Sequence, residues 1–211
     1  MLIMSDITRA FPLPIYEKTL QDDFSILEGY KNYGVMDSDD GYANTTNLCP
    51  VRVLELPELY GVKETINWHF GEFLSELGIQ KDKDFVMTTS WFVCIKQGGQ
   101  VHTHNHTNCW FSGLLYFDLD YTDAVALQLQ NPHSLNSLFA VEMNEEWMTS
   151  SAHVIYPSHN LLVFFPSHLN HKSNIQTNIK PRYSLAFNFF PKGKVGDIGS
   201  DSYLDTAWLN S

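Results

Sequence analysis

From residue 85 onward, the sequence consists of short runs rich in aromatic, β-branched and methionine residues, and this pattern limits the fold more than any other feature. Turn residues separate the runs, as in a succession of β-strands. The runs cover residues 85–95, 110–117, 125–129, 154–156, 161–165 and 182–190. Many short strands in succession predict an antiparallel sandwich or jelly roll.

The first eighty residues carry a helical pattern instead. Apolar side chains recur at three- and four-residue steps between Pro57 and Leu77, and Gly78 follows where a C-cap is expected. This spacing predicts an amphipathic helix that packs against a sheet. A shorter helix is predicted around Phe24, and a turn-rich loop at residues 37–41.

These patterns predict a single domain, residues 1–211, of the α+β class and mainly β. Residues 1–84 would form a helical cover packed outside, residues 85–190 the β-core, and residues 191–211 a C-terminal tail. The length of 211 residues and the hydrophobic content of 44% suit one domain with a substantial core.

Charge and cysteine content argue against several function classes. The net charge of −11 makes binding to a nucleic-acid backbone unfavourable, since that needs clustered Lys and Arg. The three cysteines are widely spaced and form no Cys-x-x-Cys pair, so neither a zinc ribbon nor a disulfide framework is expected. We find no signal-peptide pattern and no apolar run long enough to span a membrane, so the expected location is the cytoplasm.

Three alternating histidines, His102, His104 and His106, are the strongest chemical signal in the chain. In an extended strand, side chains two apart project from the same face, so the imidazoles would point one way at a spacing suited to chelating a metal. His171 follows as a distant single histidine, and Arg182 comes eleven residues after it. This pattern indicates a non-haem iron site with an anionic co-substrate, and a surface histidine cluster is the alternative.

The ligand set would lack the usual carboxylate. Iron(II) sites of the facial-triad type combine two histidines with one Asp or Glu and leave positions open for co-substrate and O₂. No Asp or Glu lies between Lys96 and Asp118. The second ligand must therefore be another histidine, an amide or water. The histidine pair is either His104 with His106 or His102 with His104.

Several motifs occur in a characteristic order: Ala10-Phe-Pro-Leu-Pro-Ile-Tyr16, Trp91, His104-x-His106 leading into Ser112-Gly-Leu-Leu-Tyr116, Phe165-Pro-Ser-x-Leu-x-His171, and Arg182-x-Ser-x-x-x-Asn188. Through them, most of the chain resembles the 2-oxoglutarate–Fe(II) oxygenases frequent in marine bacteria and their phages. The resemblance implies a double-stranded β-helix, the jelly-roll fold shared with cupins. For a phage-encoded protein, the location would be the host cytoplasm.

The resemblance also implies roles for individual residues. His104, His106 and His171 would hold Fe(II), and no further catalytic residue is assigned. Arg182 would pair with the distal carboxylate of 2-oxoglutarate, because a guanidinium offers that group a bidentate fork. Two more side chains would bind the same carboxylate, namely Ser184 and Tyr116. His168 is expected to pack or to line the pocket.

The function that follows is a 2-oxoglutarate-dependent dioxygenase, most simply a hydroxylase, acting on a small molecule or a protein side chain. Two other functions stay open at this point. One is a cupin-like dioxygenase with three histidines that uses no 2-oxo acid and so needs no anchor at Arg182. The other is a β-helix module that binds or supports partners without catalysis.

Overall fold

The computed structural model describes residues 12–31, 33–34, 44–45, 52–79, 84–119, 125–134 and 150–207. Their helical elements are α1 (Tyr60–Glu76) and the 3₁₀ turns Ser25–Tyr30, Val53–Glu55 and Pro57–Leu59. Their strands are β1 (Tyr16–Thr19), β2 (Asn44–Thr45), β3 (Asp84–Ile95), β4 (Phe111–Phe117), β5 (Leu127–Gln130), β6 (Ala152–Ile155), β7 (Leu161–Pro166), β8 (His171–Ser173), β9 (Arg182–Lys192), β10 (Lys194–Val195) and β11 (Leu204–Asp205).

Two antiparallel sheets make up the body of the molecule. The major sheet has the order β1-β7-β4-β9-β3-β2, and the minor sheet has the order β6-β5-β8. A buried cluster joins them, with Tyr116, Val163 and Phe165 from the major sheet against Leu127, Leu129 and Ile155 from the minor sheet. The class predicted from sequence, mainly β with a double-stranded β-helix, is confirmed.

Helix α1 covers the outer face of the major sheet. Its buried side chains Val62, Ile66, Phe70 and Phe73 recur at steps of four, four and three residues, which places them on one stripe. The Phe70 ring stacks on Phe189 of β9 with ring centroids 3.8 Å apart. The helix predicted from sequence is therefore confirmed, with its first turn in 3₁₀ form, although its C-cap is Leu77 and Gly78, at φ 72°, is the residue after it.

Gly113 of β4 allows the aromatic rings of Phe164 and Phe187 to pack close to the main chain of the sheet. A Cβ at this position would lie 2.4 Å from the Phe187 ring and 2.6 Å from the Val163 carbonyl oxygen. Neither contact is tolerated by a real side chain, so only glycine fits where the sheet and the aromatic rings approach.

A β-bulge divides β3 into two halves that face opposite ways. The pairing of β3 with β9 shifts register between Met87 and Thr89. Met87, before the shift, and Phe92, after it, both pack in the core under α1. They are five residues apart, so in a regular strand their side chains would point to opposite faces. The extra residue inverts the alternation of the strand. Trp91 and Val93 consequently point inward, where they line a cavity.

The described part of the N-terminal segment departs from the predicted helical cover. It contributes the short strands β1 and β2 to the two edges of the major sheet, as well as α1. The helix predicted around Phe24 is the 3₁₀ turn Ser25–Tyr30. Strand β1 has the sequence Tyr-Glu-Lys-Thr and is mostly exposed, so it lacks the apolar alternation that marks a strand.

Two further elements were missed. Strand β8 has only three residues, and β10 and β11 form a small hairpin in the predicted tail. The predicted loop at residues 37–41 lies outside the described residues. No helix in the described ranges combines the length and apolar character needed to span a membrane.

Candidate functional site

A cavity of about 80 Å³ lies on the inner face of the major sheet. Its polar and aromatic wall includes Trp91, His104, His106, Ser112, His171, Arg182 and Ser184. Apolar side chains of β4, β5, β7 and β9 complete the wall, namely Leu114, Leu127, Phe165, Ala186 and Phe187. Of the described residues that line the cavity, none is acidic, although the protein as a whole carries a net charge of −11.

Three histidines converge at this cavity. The ligand nitrogens of His104, His106 and His171 all lie within 4.8 Å of one another. A metal–nitrogen bond is about 2.1 Å, so small side-chain adjustments let one ion reach all three. His102 is exposed and lies outside the group. The structure thus brings together the pair His104 and His106 rather than His102 and His104.

The histidine segment is not the regular strand predicted from its alternation. His104 forms an isolated antiparallel bridge with His171, the first residue of β8. The His104 N–H donates to the His171 carbonyl at 3.0 Å, and the His171 N–H donates to the His104 carbonyl at 2.8 Å. This single bridge is enough to set the two ligand-bearing segments side by side.

Local hydrogen bonds orient two of the three rings. His104 Nδ1 lies 2.9 Å from the His102 carbonyl oxygen, and His171 Nδ1 lies 2.9 Å from the Leu169 carbonyl oxygen. A carbonyl can only accept, so each Nδ1 carries the proton and each Nε2 presents its lone pair. Both rings are thereby held in the tautomer that binds metal through Nε2.

Two rings of the site, those of His106 and His171, stay neutral in mildly acidic solution. Burial lowers the pKa of His171 to about 3, and its bond to the Leu169 carbonyl opposes this shift only in part. Burial also lowers the pKa of His106 to about 4, with repulsion from His104 as the smaller cause. Neutral imidazole is the form that ligates a metal.

Arg182 lies at the start of β9 and is only 3% exposed. Its guanidinium carbon sits 5.0 Å from the centre of the Tyr116 ring. Its Nε has no hydrogen-bond partner, and within the described ranges no carboxylate forms an ion pair with it. A buried cation without an anion is costly, so the wall here is suited to an anionic ligand.

Ser184 and Tyr116 are placed differently around Arg182. Ser184, two residues along β9, is buried and lines the cavity. Tyr116 is fully buried and does not itself line the cavity, and it lies against Arg182 instead. Burial raises the pKa of the Tyr116 phenol, and the charge of Arg182 acts in the opposite direction. The phenol oxygen finds no hydrogen bond of ordinary geometry among the described residues.

Sequence reasoning gave no role to several polar residues near the histidines. Ser112 Oγ contacts both Ser167 Oγ at 2.8 Å and Asn188 Oδ1 at 2.7 Å. Ser112, Ser167 and Asn188 all belong to motifs of the sequence, but only the structure shows that their side chains contact one another. His168, expected to pack or to line the pocket, is exposed instead.

Known protein structures share this architecture. HygX from Streptomyces hygroscopicus, solved with nickel and 2-oxoglutarate bound, matches with a TM-score of 0.56 and 8% identity over 92% of each chain. A prolyl-4-hydroxylase from Pseudomonas putida matches with a TM-score of 0.57 and 11% identity, over 84% of this chain and 92% of its own. At such low identity these likenesses establish the fold. No curated protein sequence matches the chain.

The sequence itself matches one family model. Residues 89–188 match the family described as "Putative 2OG-Fe(II) oxygenase". The matched segment holds the three convergent histidines, Arg182, Ser184 and Tyr116, and so contains the whole candidate site. On this match, the segment that bears the candidate site belongs to the 2OG-Fe(II) oxygenases, the oxidoreductases that depend on Fe(II) and 2-oxoglutarate.

Proposed function

We propose that this 2OG-Fe(II) oxygenase is a hydroxylase whose metal is held by His104, His106 and His171 and whose co-substrate is anchored by Arg182. Three imidazole nitrogens suit Fe(II), and burial lowers the pKa of His106 and of His171, which keeps these two rings available as ligands in mildly acidic solution. When bound, Fe(II) together with 2-oxoglutarate supplies the O₂-dependent oxidation. The protein's own part is to hold and orient these groups.

The observation that carries the proposal is the unpaired charge of Arg182. The guanidinium is 3% exposed and lines the same cavity as the histidines. A dicarboxylate that binds the metal at one end can meet Arg182 with the other, in the bidentate geometry that a guanidinium favours. Ser184 and the unsatisfied phenol of Tyr116 would add hydrogen bonds to the same carboxylate.

This arrangement favours an oxo-acid enzyme over a three-histidine dioxygenase that uses no co-substrate. An enzyme without a 2-oxo acid has no carboxylate to neutralise Arg182. The buried unpaired cation would then lower its free energy of unfolding by about 3 to 5 kcal/mol. A non-catalytic module would have no reason to keep both the unpaired cation and the convergent histidines.

The substrate is proposed as a small molecule or a protein side chain. Structural neighbours represent both kinds: HygX has been solved with hygromycin B bound, and a Trichoplax adhaerens prolyl hydroxylase with a peptide of hypoxia inducible factor. The proposed location is the cytoplasm; the described cysteines, Cys94 and Cys109, form no disulfide.

The test compares Arg182→Ala, Arg182→Lys and the wild type. Loss of one side of a buried ion pair costs about 3 to 5 kcal/mol, or roughly two to four powers of ten in affinity. Arg182→Ala should weaken 2-oxoglutarate binding by that factor. Arg182→Lys should keep only part of the wild-type affinity, because lysine has the charge but not the bidentate geometry of a guanidinium. Anaerobic titration of the Fe(II) protein, followed by its metal-to-ligand charge-transfer absorption, measures the affinity. Succinate formed without prime substrate measures turnover.

Arg52→Ala is the matched control, because Arg52 is exposed and lies away from the cavity. It should leave both readouts unchanged. Equal 2-oxoglutarate affinity in wild type and Arg182→Ala would remove the reason for preferring an oxo-acid enzyme to a simple three-histidine metalloprotein.

A further inference from the structure

Four polar side chains on the cavity side form a hydrogen-bonded row to which the proposed function gives no role. Thr89 of β3 pairs in register with Asn188 of β9, and Asn188 pairs with Ser112 of β4. Ser167 extends the row into the turn between β7 and β8. Ser112, Ser167 and Asn188 are each less than 10% exposed, at 2%, 0% and 9%.

The hydrogen bonds of the row all run in one direction. Ser112 Oγ donates its only proton to Asn188 Oδ1 at 2.7 Å. In the 2.8 Å contact between the two hydroxyls, Ser167 must therefore be the donor. Asn188 Nδ2 donates in turn to Thr89 Oγ1 at 3.0 Å. Donors aligned in this way polarise one another, and the row holds its side chains in single rotamers.

Ser167 ties the row to the metal-binding segment. Its backbone carbonyl accepts a hydrogen bond from the His106 N–H at 3.0 Å. Its own N–H donates to the Trp110 carbonyl at 3.0 Å. Because Ser167 is fully buried, water cannot replace either bond. The position of Ser167 therefore determines where the main chain of His106 lies.

His106 depends on this support more than the other two histidines do. The His104 and His171 rings are each oriented by a bond from Nδ1 to the carbonyl two residues earlier. Within the described residues, the His106 ring makes no such bond. Its neighbours are the rings of Trp91 and of the two other histidines, at 5.0 to 5.7 Å between centroids. Packing and its own backbone must orient it.

We propose that Ser112 and Ser167 are positioning residues that fix His106, the ligand occupying the place of the missing carboxylate, with Asn188 and Thr89 holding them in turn. This inference rests on the proposed function only in assigning His106 to the metal. The row would act on metal affinity and coordination geometry, not on the co-substrate. The β-bulge at Thr88 contributes to this positioning, because it aligns Thr89 with Asn188.

The experiment measures Co(II) binding, by calorimetry and by the visible absorption of the bound ion. Ser112→Ala and Ser167→Ala should each weaken Co(II) binding by about tenfold, the lower end of what loss of an outer-shell partner costs. The absorption of the bound ion should change in both variants, since His106 shifts. The double variant should bind Co(II) about as tightly as the single variant with the lower affinity, because the two substitutions remove the same connection.

Two further variants separate positioning from general stability. Ser90 is also a buried serine of the major sheet, 2% exposed, and its Oγ accepts from the Leu54 N–H on the opposite face. Ser90→Ala should lower the free energy of unfolding but leave Co(II) affinity and absorption unchanged. Thr89→Val keeps the shape of a half-buried side chain at the far end of the row, so we expect the variant to fold. Because it removes the acceptor of Asn188 Nδ2, it should weaken Co(II) binding several-fold.

Three results would overturn the inference. The first is an unchanged Co(II) absorption in Ser112→Ala, Ser167→Ala and Thr89→Val. The second is an equal loss of affinity in Ser90→Ala, which would mark the effect as stability alone. The third is additive losses in the double variant. If the wild type bound no Co(II), the proposed metal site would fail as well, whereas failure in the variants alone leaves that site intact.

Discussion

The two faces of the major sheet are built from the same strands but do different work. The outer face meets α1 through stacked and edge-on aromatic rings, among them Phe70, Phe73, Phe164 and Phe189. The inner face presents Arg182, Ser184 and Asn188 of β9 to the cavity or to the polar row beside it. Dispersion and burial hold the outer face together, whereas directional polar contacts define the inner face.

The comparison separates stability from function within single strands. Along β9, Leu185, Phe187 and Phe189 pack in the core under α1, whereas Arg182, Ser184 and Asn188, with Ala186 between them, face inward. Neighbours in sequence therefore serve different faces of the sheet. A substitution on the outer face should change the free energy of unfolding without changing ligand binding. A substitution of a polar residue at the cavity on the inner face should change ligand binding.

The largest effect is expected for His171→Ala. It removes one of three ligands, and tight metal binding should be lost, a larger change than the roughly 10- to 100-fold that outer-shell variants cause. His102→Ala is the control, because that side chain is exposed and outside the ligand group. Calorimetric titration with Co(II) measures both. Loss of binding in His102→Ala but not in His106→Ala would shift the ligand assignment by two residues.

Phe70→Ala should have the largest effect on the outer face. The ring stacks on Phe189 and contacts Phe73, Phe85 and Phe111, so its loss should cost about 3 to 5 kcal/mol of unfolding free energy. Urea denaturation of the metal-free protein measures this. Co(II) affinity at a temperature where the variant is folded should match the wild type. A parallel loss of affinity would show that the two faces are not separable.

Gly113→Ala tests the same face with a smaller change. The added methyl group would collide with Phe187 and with the Val163 carbonyl. Overpacking of this kind typically costs about 1 to 3 kcal/mol. Gly71→Ala is the matched control, since nothing lies within 4 Å of a Cβ there. Thermal unfolding of both variants gives the comparison, and equal midpoints would contradict the close approach described for Gly113.

The most gradual effect is a pH dependence on the inner face. Burial lowers the pKa of His106 to about 4 and of His171 to about 3, below the ordinary value near 6.5. Between these values the unfolded chain takes up protons that the native protein does not. The stability of the metal-free protein should therefore fall as the pH drops below about 6.5, by up to about 1.4 kcal/mol per pH unit for each ring.

Urea denaturation between pH 4.5 and 7 checks this slope. His106→Asn removes one titrating group and should flatten the dependence, whereas His102→Asn should not. For metal binding, proton competition at His106 and His171 should set in only well below pH 6. An identical pH slope in wild type and His106→Asn would show that burial does not shift this ring.

The sequence predicted the class of the fold because apolar runs and helical spacing are local signals. It could not predict the inversion within β3, because the residues on either side of the polar stretch 88–90 are apolar on both faces, so no alternation marks where the register shifts. It also missed β1, whose residues are polar because the strand is at an edge. These elements owe their structure to their partners rather than to their own composition.

The candidate site was predictable in its chemistry and less so in its geometry. Alternation drew attention to His104 and His106, which lie together with His171 in the structure, although the segment is an isolated bridge and not the predicted strand. His102 and His106 differ in their placement: the His102 side chain is exposed and outside the group, whereas the His106 ring lies beside those of His104 and His171. Such a contact exists only in three dimensions.

The paired backbones of His104 and His171 have a consequence for how the site fills. Two main-chain hydrogen bonds, of 3.0 and 2.8 Å, join these segments without the help of a metal ion. Little chain entropy then remains to be lost when an ion binds, so loading should resemble docking to a rigid chelator rather than coupled folding. Exchange of one divalent ion for another should accordingly follow the intrinsic preference of imidazole donors, and the cell's supply of Fe(II) over its competitors would decide which ion the protein carries.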